Sequence, residues 1–571
     1  MKKIVLILLL ALYAYGGSAQ VVIPVIEGKF GVDADAQSNI FIDATSPCSD
    51  CDDWWYDQLL SGGNGLFVID TTGAGSIVAG YLSNPAATHN VPFYRKMRYQ
   101  AFEQHDERTL IDAIFVRDYH NSDQTAFVDG SNKNADHPTD WRGDTKSVLA
   151  KNDILDVYCH IRRVGTNYDT SDPLWLFGAV AVEGTNGDRY FDFEMYQTDI
   201  FYTRSTTRFT GYGPDAGHTS WKFDAAGNVT QPGDIIFAAN FSTSGLTDIE
   251  ARIWIDKADK SKIPATFDWT GTFDGASAGA TYGYAGIQPK FGDPFYYGTL
   301  NADPTWAGPY RLPRANGTIV TQFEPGQFME FGVNLTALGL NPSSLLGKTP
   351  CGIPFSKVMV KTRSSTSFTS ELKDFIAPFD LFLPPTAELA VDMPLVCGSS
   401  GTVSNIWVTD PYSTSIYNWS TPNGHIQSNN GTRIVVDSPG TYIVQQILDN
   451  GCPLWSSDTA VIIQDPNCTI LNNSDKDKAT KPAKTAIPAI AVVPNPVKNA
   501  MQINIAADAD KDVHVFIYDV TGRLMKTINS RVQKGNSTIK MTGFESWARG
   551  LYTIKVLSGN DVLIKRLLFT K

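Results

Sequence analysis

The stretch "YFDFEMYQ", residues 190–197, sets the reading of the whole N-terminal half. Side chains on a strand alternate between its two faces. Phe191, Phe193 and Met195 therefore share one face, and Tyr190, Asp192, Glu194 and Tyr196 the other. The apolar trio is the natural core side, which places both carboxylates on an exposed or cleft face between two tyrosines. The run "IEARIWID" has the same period of two: Ile249, Ala251, Ile253 and Ile255 alternate with Glu250, Arg252, Trp254 and Asp256. "DIIFAANF" (234–241) and "KVMVKT" (357–362) are further short runs separated by Gly-, Asn-, Asp- and Pro-rich loops. Half-buried strands without intervening helices must bury their apolar faces against another sheet. The predicted class is all-β, with a large sandwich or jelly-roll-like domain over residues 20–385.

Working outward, "MKKIVLILLLALYAYGGSAQ" opens the chain with two lysines, an apolar run from Ile4 to about Tyr15, and small residues Gly17 and Ala19 at cleavage-site spacing. This predicts a secretory signal peptide over 1–19. Its apolar core is too short for a membrane span of about 20 residues, and no later stretch replaces it. A chain of 571 residues, 42% hydrophobic and 19% charged, has ample material for several packed domains. The net charge of −12 argues against nucleic acid, whose binding needs clustered Lys and Arg. Glycans, cations or other proteins remain open as partners.

Seven cysteines in an exported chain point to disulfides. "CSDC" holds Cys48 and Cys51 without the context of a redox helix or a second zinc-binding pair, so a structural disulfide is the preferred reading. The partners of Cys48, Cys51, Cys159, Cys351 and Cys468 stay undecided. The Asp-rich loops "VDADAQSN" (32–39), "SDCDDWW" (49–55) and "NSDQTAFVDGSNKNADHPTD" (121–140) offer oxygens for calcium. None has EF-hand spacing, so they read first as solvated turns, with no metal ligand and no cofactor assigned. The chain has no HExxH, GxSxG or phosphate-loop motif.

Three segments, "KNDILDVYCHIRR" (151–163), "LWLFGAVAVEGTNGDRYFDFEMYQ" (174–197) and "GDIIFAANFSTSGLTDIEARIWI" (233–255), resemble a large β-rich domain common at the N-terminus of bacterial secreted and surface proteins. That resemblance implies a fold and a habitat, not a reaction. Cys397, Trp419, "SPGTYIVQQILDNGC" and Cys452 look like an immunoglobulin-like or PKD-like sandwich over 386–465, in which Cys397 and Cys452 are the candidate disulfide. Residues 466–490 lose aromatics and read as a linker.

The last segment carries the most specific pattern. "VVPNPVKNAMQINI", "VHVFIYDVTGRLMKTI" and "GLYTIKVLSGNDVLIKRLLFTK" closely resemble the subtype A C-terminal sorting domain of the type IX secretion system of Bacteroidota, over 491–571. The matching positions are Pro494, Asn495 and Pro496, then Asp519, Gly522 and Arg523, then Gly550, Leu551 and Tyr552, and finally Lys565. The resemblance implies Sec export to the periplasm, then recognition of the tail by the translocation machinery. The mature protein would be released or held on the outer surface. The residues themselves predict a small β-sandwich: two strands around a Thr-Gly turn, and Leu551, Thr553 and Lys555 alternating with Tyr552, Ile554 and Val556.

Two chemistries compete at Tyr190, Asp192, Glu194 and Tyr196. One is ligand binding, with tyrosine rings as apolar platforms for sugars. The rival is catalysis by Asp192 and Glu194, as in jelly-roll glycoside hydrolases of the laminarinase kind. Against the rival, the leading Glu of that family's strand pattern is replaced by Tyr190, and no carboxylate follows at 196 or 197. The scattered Trp54, Trp55, Trp141, Trp175 and Trp306 offer further sugar platforms, though each read singly is a core or loop-anchoring residue. The expected role is non-catalytic binding or adhesion; a secreted polysaccharide hydrolase or a structural matrix component are the alternatives.

Overall fold

The computed structural model describes residues 25–38, 51–56, 65–85, 93–118, 124–198, 200–211, 213–291, 294–340, 355, 357–381, 387–397, 402–409, 411–448, 455–464, 489–493, 497, 500–507, 510–519, 524–544, 547, 550–558 and 561–569. The predicted signal peptide and nearly all of the predicted linker lie outside them, as do Cys48, Cys351, Cys452 and Cys468. Two compact units divide the chain: 1–389 with 408–419 and 444–458, and 390–407 with 420–443 and 459–571. Among the described residues no helix is long and apolar enough to cross a membrane.

The first unit is built from two antiparallel sheets. The seven-stranded sheet runs in the order Tyr296–Leu300, Phe328–Asn334, Leu174–Val182, Ile154–Val164, Arg108–Arg117, Phe93–Lys96, with Glu103–His105 also on Arg108–Arg117. In the nine-stranded sheet, Arg189–Tyr196 lies between Ile235–Ser242 and Lys357–Arg363, with Gly245–Asp256 beyond the former. Val157, Cys159, Leu176, Val180, Phe331 and Val333 from one sheet meet Phe191, Phe193, Met195, Phe237, Ile253 and Val360 from the other in one core. Gly178 marks the closest approach: a Cβ there would lie 2.5 Å from the ring of Phe331 and 3.1 Å from that of Phe193. The all-β sandwich read from alternation is the observed architecture, and the alternation itself is correct for 191, 193 and 195.

The sandwich is not a two-layer object with wet outer faces. Ile154–Val164 and Leu174–Val182 are buried along nearly their whole length, which a strand achieves only when both faces are covered. On the seven-stranded sheet the cover is the N-terminal segment: Phe30, Val32, Trp54, Trp55, Val68 and Ile69 pack on Phe115, Tyr158, Phe177 and Ala179. Residues 135, 141, 200, 209 and 368 cover the nine-stranded sheet, packing on Tyr196, Ile236, Ala238, Trp254, Tyr284, Met359 and Phe375. Trp54, Trp55, Trp141 and Trp175 are buried in these layers and Trp306 packs against one of them, in agreement with the core reading of each tryptophan.

The second unit contains the tail. Ala489–Val493, Ala500–Ala507 and Gly535–Thr542 form one sheet; Leu524–Val532, Lys511–Asp519, Gly550–Ser558 and Asp561–Phe569 form the other. Met501, Ile503, Ile505, Val515, Ile517, Tyr552, Ile554 and Val556 fill the space between them. The predicted strand pair is present, with Val515 opposite Ile528 and Ile517 opposite Lys526. The strands before it include a four-stranded sheet ordered Leu389–Val391, Ser404–Val408, Arg433–Val436, Ile426–Asn429.

Candidate functional site

Arg189–Tyr196 forms because its β-branched and aromatic neighbours pack on both sides, and its register with Lys357–Arg363 sets Asp192 opposite Lys361 and Glu194 opposite Met359. Residues two positions along a neighbouring strand are still within reach of long side chains. The ion pairs are accordingly diagonal: Lys361 reaches Glu194, and Arg363 Nε donates to Asp192 Oδ1 at 2.8 Å.

Asp192 and Glu194 are both 0% exposed, which corrects the expectation of an exposed or cleft face. The reason is the covering layer, whose contributors come from sequence positions far from the strand. All four carboxylate oxygens are engaged. Asp192 Oδ2 accepts from Asn134 Nδ2 at 2.8 Å, Glu194 Oε1 accepts from the Tyr284 hydroxyl, and Glu194 Oε2 accepts from Lys361 Nζ. Asn134 also accepts from Lys361 Nζ at 2.8 Å, which joins the two ion pairs into one network. His218 Nδ1 lies 3.2 Å from Asp234 Oδ2 and 3.8 Å from Glu194 Oε1, and its ring stacks on Trp254 at 4.1 Å.

The electrostatics follow from this packing. Burial by itself pushes the Glu194 carboxyl up; the Lys361 ammonium, then His218, then hydrogen bonds from Lys361 and Tyr196 outweigh it and hold the group below its ordinary value. The Tyr196 and Tyr284 hydroxyls are pushed well up by burial and by the Glu194 charge. Tyr190 is half-buried, its hydroxyl donating to Asp188, and Tyr196 is 1% exposed and stacked on His218. The four residues share a strand face, as their spacing requires, but at Asp192, Glu194 and Tyr196 that face is internal, and the two carboxylates are neutralised in a cross-link between two strands. Lys361, Arg363, Asn134, His218 and Tyr284 complete it. The alternation in "KVMVKT", which sets Lys357 and Lys361 opposite Val358 and Val360, was the available signal for the cations.

Of the sorting-tail positions, Pro494, Asn495, Pro496, Gly522 and Arg523 lie outside the described residues. The rest meet in the four-stranded sheet: Asp519 is directly opposite Tyr552, Leu551 opposite Leu568, Gly550 opposite Phe569, and Lys565 opposite Ile554. Tyr552 is buried, with Trp547 stacked on it at 5.1 Å. Lys565 Nζ donates to the carbonyl of Thr459 at 2.9 Å. Cys397 is half-buried and its candidate partner Cys452 lies outside the described residues; Cys159 is a free, buried thiol.

The family of secretion system C-terminal sorting domains matches residues 491–570. No curated protein matches the chain. Among solved structures, dimeric latent PorU from Porphyromonas gingivalis aligns at 9% identity and TM-score 0.15, over 70% of this chain. The chain spans only 31% of PorU's own length. The BSP domain of a biofilm associated protein aligns at 8% identity and TM-score 0.14, over 84% of this chain and 96% of that one. The S-layer protein rSbsC aligns at 10% identity and TM-score 0.13, over 69% and 52%. At such scores these likenesses carry nothing about fold or role. The sorting-domain match does: it supports this chain as cargo of a type IX secretion system, delivered to the cell surface or the extracellular space and engaging the secretion machinery through its tail.

Proposed function

We propose that this is a non-catalytic exported protein whose N-terminal sandwich binds a partner, glycan or surface protein, outside the cell. Residues 1–19 direct Sec export, 386–465 form an immunoglobulin-like or PKD-like spacer, 466–490 a linker, and 491–571 the type IX sorting tail. The observation that carries the reading is the tail: a family match over 491–570 together with a packed two-sheet core built from its alternating residues.

The non-catalytic half is supported by the state of Asp192 and Glu194. A retaining glycosidase needs an acid and a nucleophile about 5 to 5.5 Å apart that the sugar can reach. Here both groups are sealed from solvent and already neutralised by Lys361 and Arg363. The spacer is supported by Tyr442, whose buried hydroxyl donates to the Ser438 carbonyl at 2.6 Å, a backward bond typical of the tyrosine corner in immunoglobulin-like sandwiches. A Cys397–Cys452 disulfide would add roughly 3 to 4 kcal/mol by closing a long loop.

Export is tested by deleting 491–571 in the native cell. The truncated chain should remain in the periplasm, and its normal appearance outside would refute the assignment. The mature chain is then tested on a glycan array and in polysaccharide pull-downs. Binding without turnover is the expected result. Turnover lost in Asp192→Asn and Glu194→Gln would replace the proposal by a hydrolase, and self-association with neither would favour a matrix component.

A further inference from the structure

Two Asp-rich loops distant in sequence converge on the opposite side of the sandwich. Asp33, Asp35 and Asp53 each offer a carboxylate oxygen, and these oxygens all lie within 4.8 Å of one another. Two Ca–O bonds of about 2.3–2.6 Å span that distance, so one ion can touch all three. Magnesium holds its waters more tightly and is usually bound through one or two carboxylates, so a three-carboxylate cage favours calcium.

The polar bookkeeping at this place is incomplete. Asp33 Oδ1 accepts from the Asp35 amide at 3.3 Å and Asp53 Oδ1 from the Trp54 amide at 2.6 Å. Asp33 Oδ2 and Asp53 Oδ2 are covered and have no hydrogen-bond partner, and Asp53 as a whole is 0% exposed. Both oxygens point into the same space beside Gly31, where a Cβ would lie 3.3 Å from Asp53 Oδ2 and 3.5 Å from Asp33 Oδ2. A buried carboxylate oxygen with neither a proton donor nor a counter-charge is costly, and native folds rarely leave one.

Among the described residues no lysine or arginine is paired with Asp33 or Asp53. Arg108 and Arg162 approach this region but pair with Asp52, the preceding residue. Buried Glu330 adds a fourth acid, with each oxygen committed to the loop: Oε2 accepts from the amides of Asp33 and Ala34, both at 3.0 Å, and Oε1 from Trp54 Nε1 at 2.6 Å. Glu330 thus fixes the backbone of the first loop and the Trp54 side chain of the second, and leaves the three aspartates to face one another. Burial, then Asp35 and Glu330, push the Asp33 carboxyl well up; burial, then Glu330 and Asp33, do the same to Asp53.

From this geometry we infer that Asp33, Asp35 and Asp53 form a calcium site that clamps the N-terminal covering segment onto the seven-stranded sheet. The donor set is all hard oxygen, which suits calcium and not zinc or copper. Asp35 is partly exposed, so it marks the side on which water completes the coordination and the ion enters. The clamp joins residues 33–35 to residue 53, and through Glu330 to the strand Phe328–Asn334.

The test uses the mature full-length chain stripped with EDTA and then titrated with CaCl2 by calorimetry, with thermal melts in parallel. Terbium, an oxygen-seeking calcium substitute excited through tryptophan, gives a second readout close to Trp54. One saturable site and a calcium-dependent rise in melting temperature are expected, with magnesium a poor competitor. Asp53→Asn and Asp35→Asn should each weaken calcium binding by roughly tenfold or more. Asp129→Asn, at an exposed carboxylate elsewhere, should bind as wild type. Asp53→Asn should melt no lower than the calcium-free wild type, because it removes a repelling charge; a merely structural aspartate would lower it. If Asp53→Asn fails to fold, partly exposed Asp35→Asn carries the test. Absence of calcium binding by the wild type, or unchanged binding in Asp35→Asn, would overturn the site.

Discussion

The outer faces of the two sheets pose one electrostatic problem and handle it differently. On the nine-stranded sheet, Asp192 and Glu194 are buried beside Arg363 and Lys361, cations delivered by the neighbouring strand. On the seven-stranded sheet, Asp33, Asp53 and Glu330 gather with no lysine or arginine paired to them among the described residues. A covered carboxylate needs a counter-charge or a proton. Where the fold supplies the cation, the site is a cross-link; where it does not, it is a place for an ion from outside.

The comparison breaks most visibly at Lys361. Glu194→Gln leaves the ammonium buried without its charge partner and should cost about 3–5 kcal/mol of stability in urea unfolding. Lys361→Met, which strands Glu194 instead, should cost a similar amount, while Glu194→Gln with Lys361→Met together should recover most of the loss. If the two losses simply add, the residues do not form a neutralised pair, and the contrast between the faces fails.

A smaller effect is expected one pair along. Arg363 also donates to the carbonyls of Ser365 and Thr366 at 3.0 and 2.9 Å, and to Asn240 Oδ1 at 2.9 Å. Asp192→Asn therefore leaves a guanidinium that still has acceptors, and about 1–3 kcal/mol should be lost. A cost equal to that of Glu194→Gln would mean the carboxylates act as one unit through Asn134, which touches both Asp192 and Lys361.

These partnerships mark how far the sequence can be read. Alternation in 190–197 correctly identified the core side, because Phe191, Phe193 and Met195 state their preference locally. The same rule then made the opposite side wet, since a period of two cannot tell solvent from a covering layer. That layer is made by residues such as Asn134, Trp141 and Phe368, and the cations come from a strand about 170 positions later. Asp33 and Asp53 show the same limit: each sits in an evident acidic loop, but only the fold brings the loops together and adds Glu330. The tail was legible because, among the described residues, recognition and core positions share the same short strands, as at Tyr552.

The smallest effect sharpens the comparison by pH. Glu194 is held below its ordinary range in the fold, whereas an unfolded glutamate titrates at about 4.3. A carboxyl whose folded value is depressed contributes stability that is fully present above the unfolded value and is lost as pH falls through the folded one. The stability gap between wild type and Glu194→Gln should therefore be flat from pH 7 to about 5 and close progressively below about 4. Lys361, Tyr284, Tyr196, His218 and Asp234 surround the group and are common to both proteins. A gap that already narrows between pH 7 and 5 would show that a charge other than the Glu194 carboxylate controls the pair. The outer face would then be a proton-sensitive cover, and not the fixed cross-link that Lys361 implies.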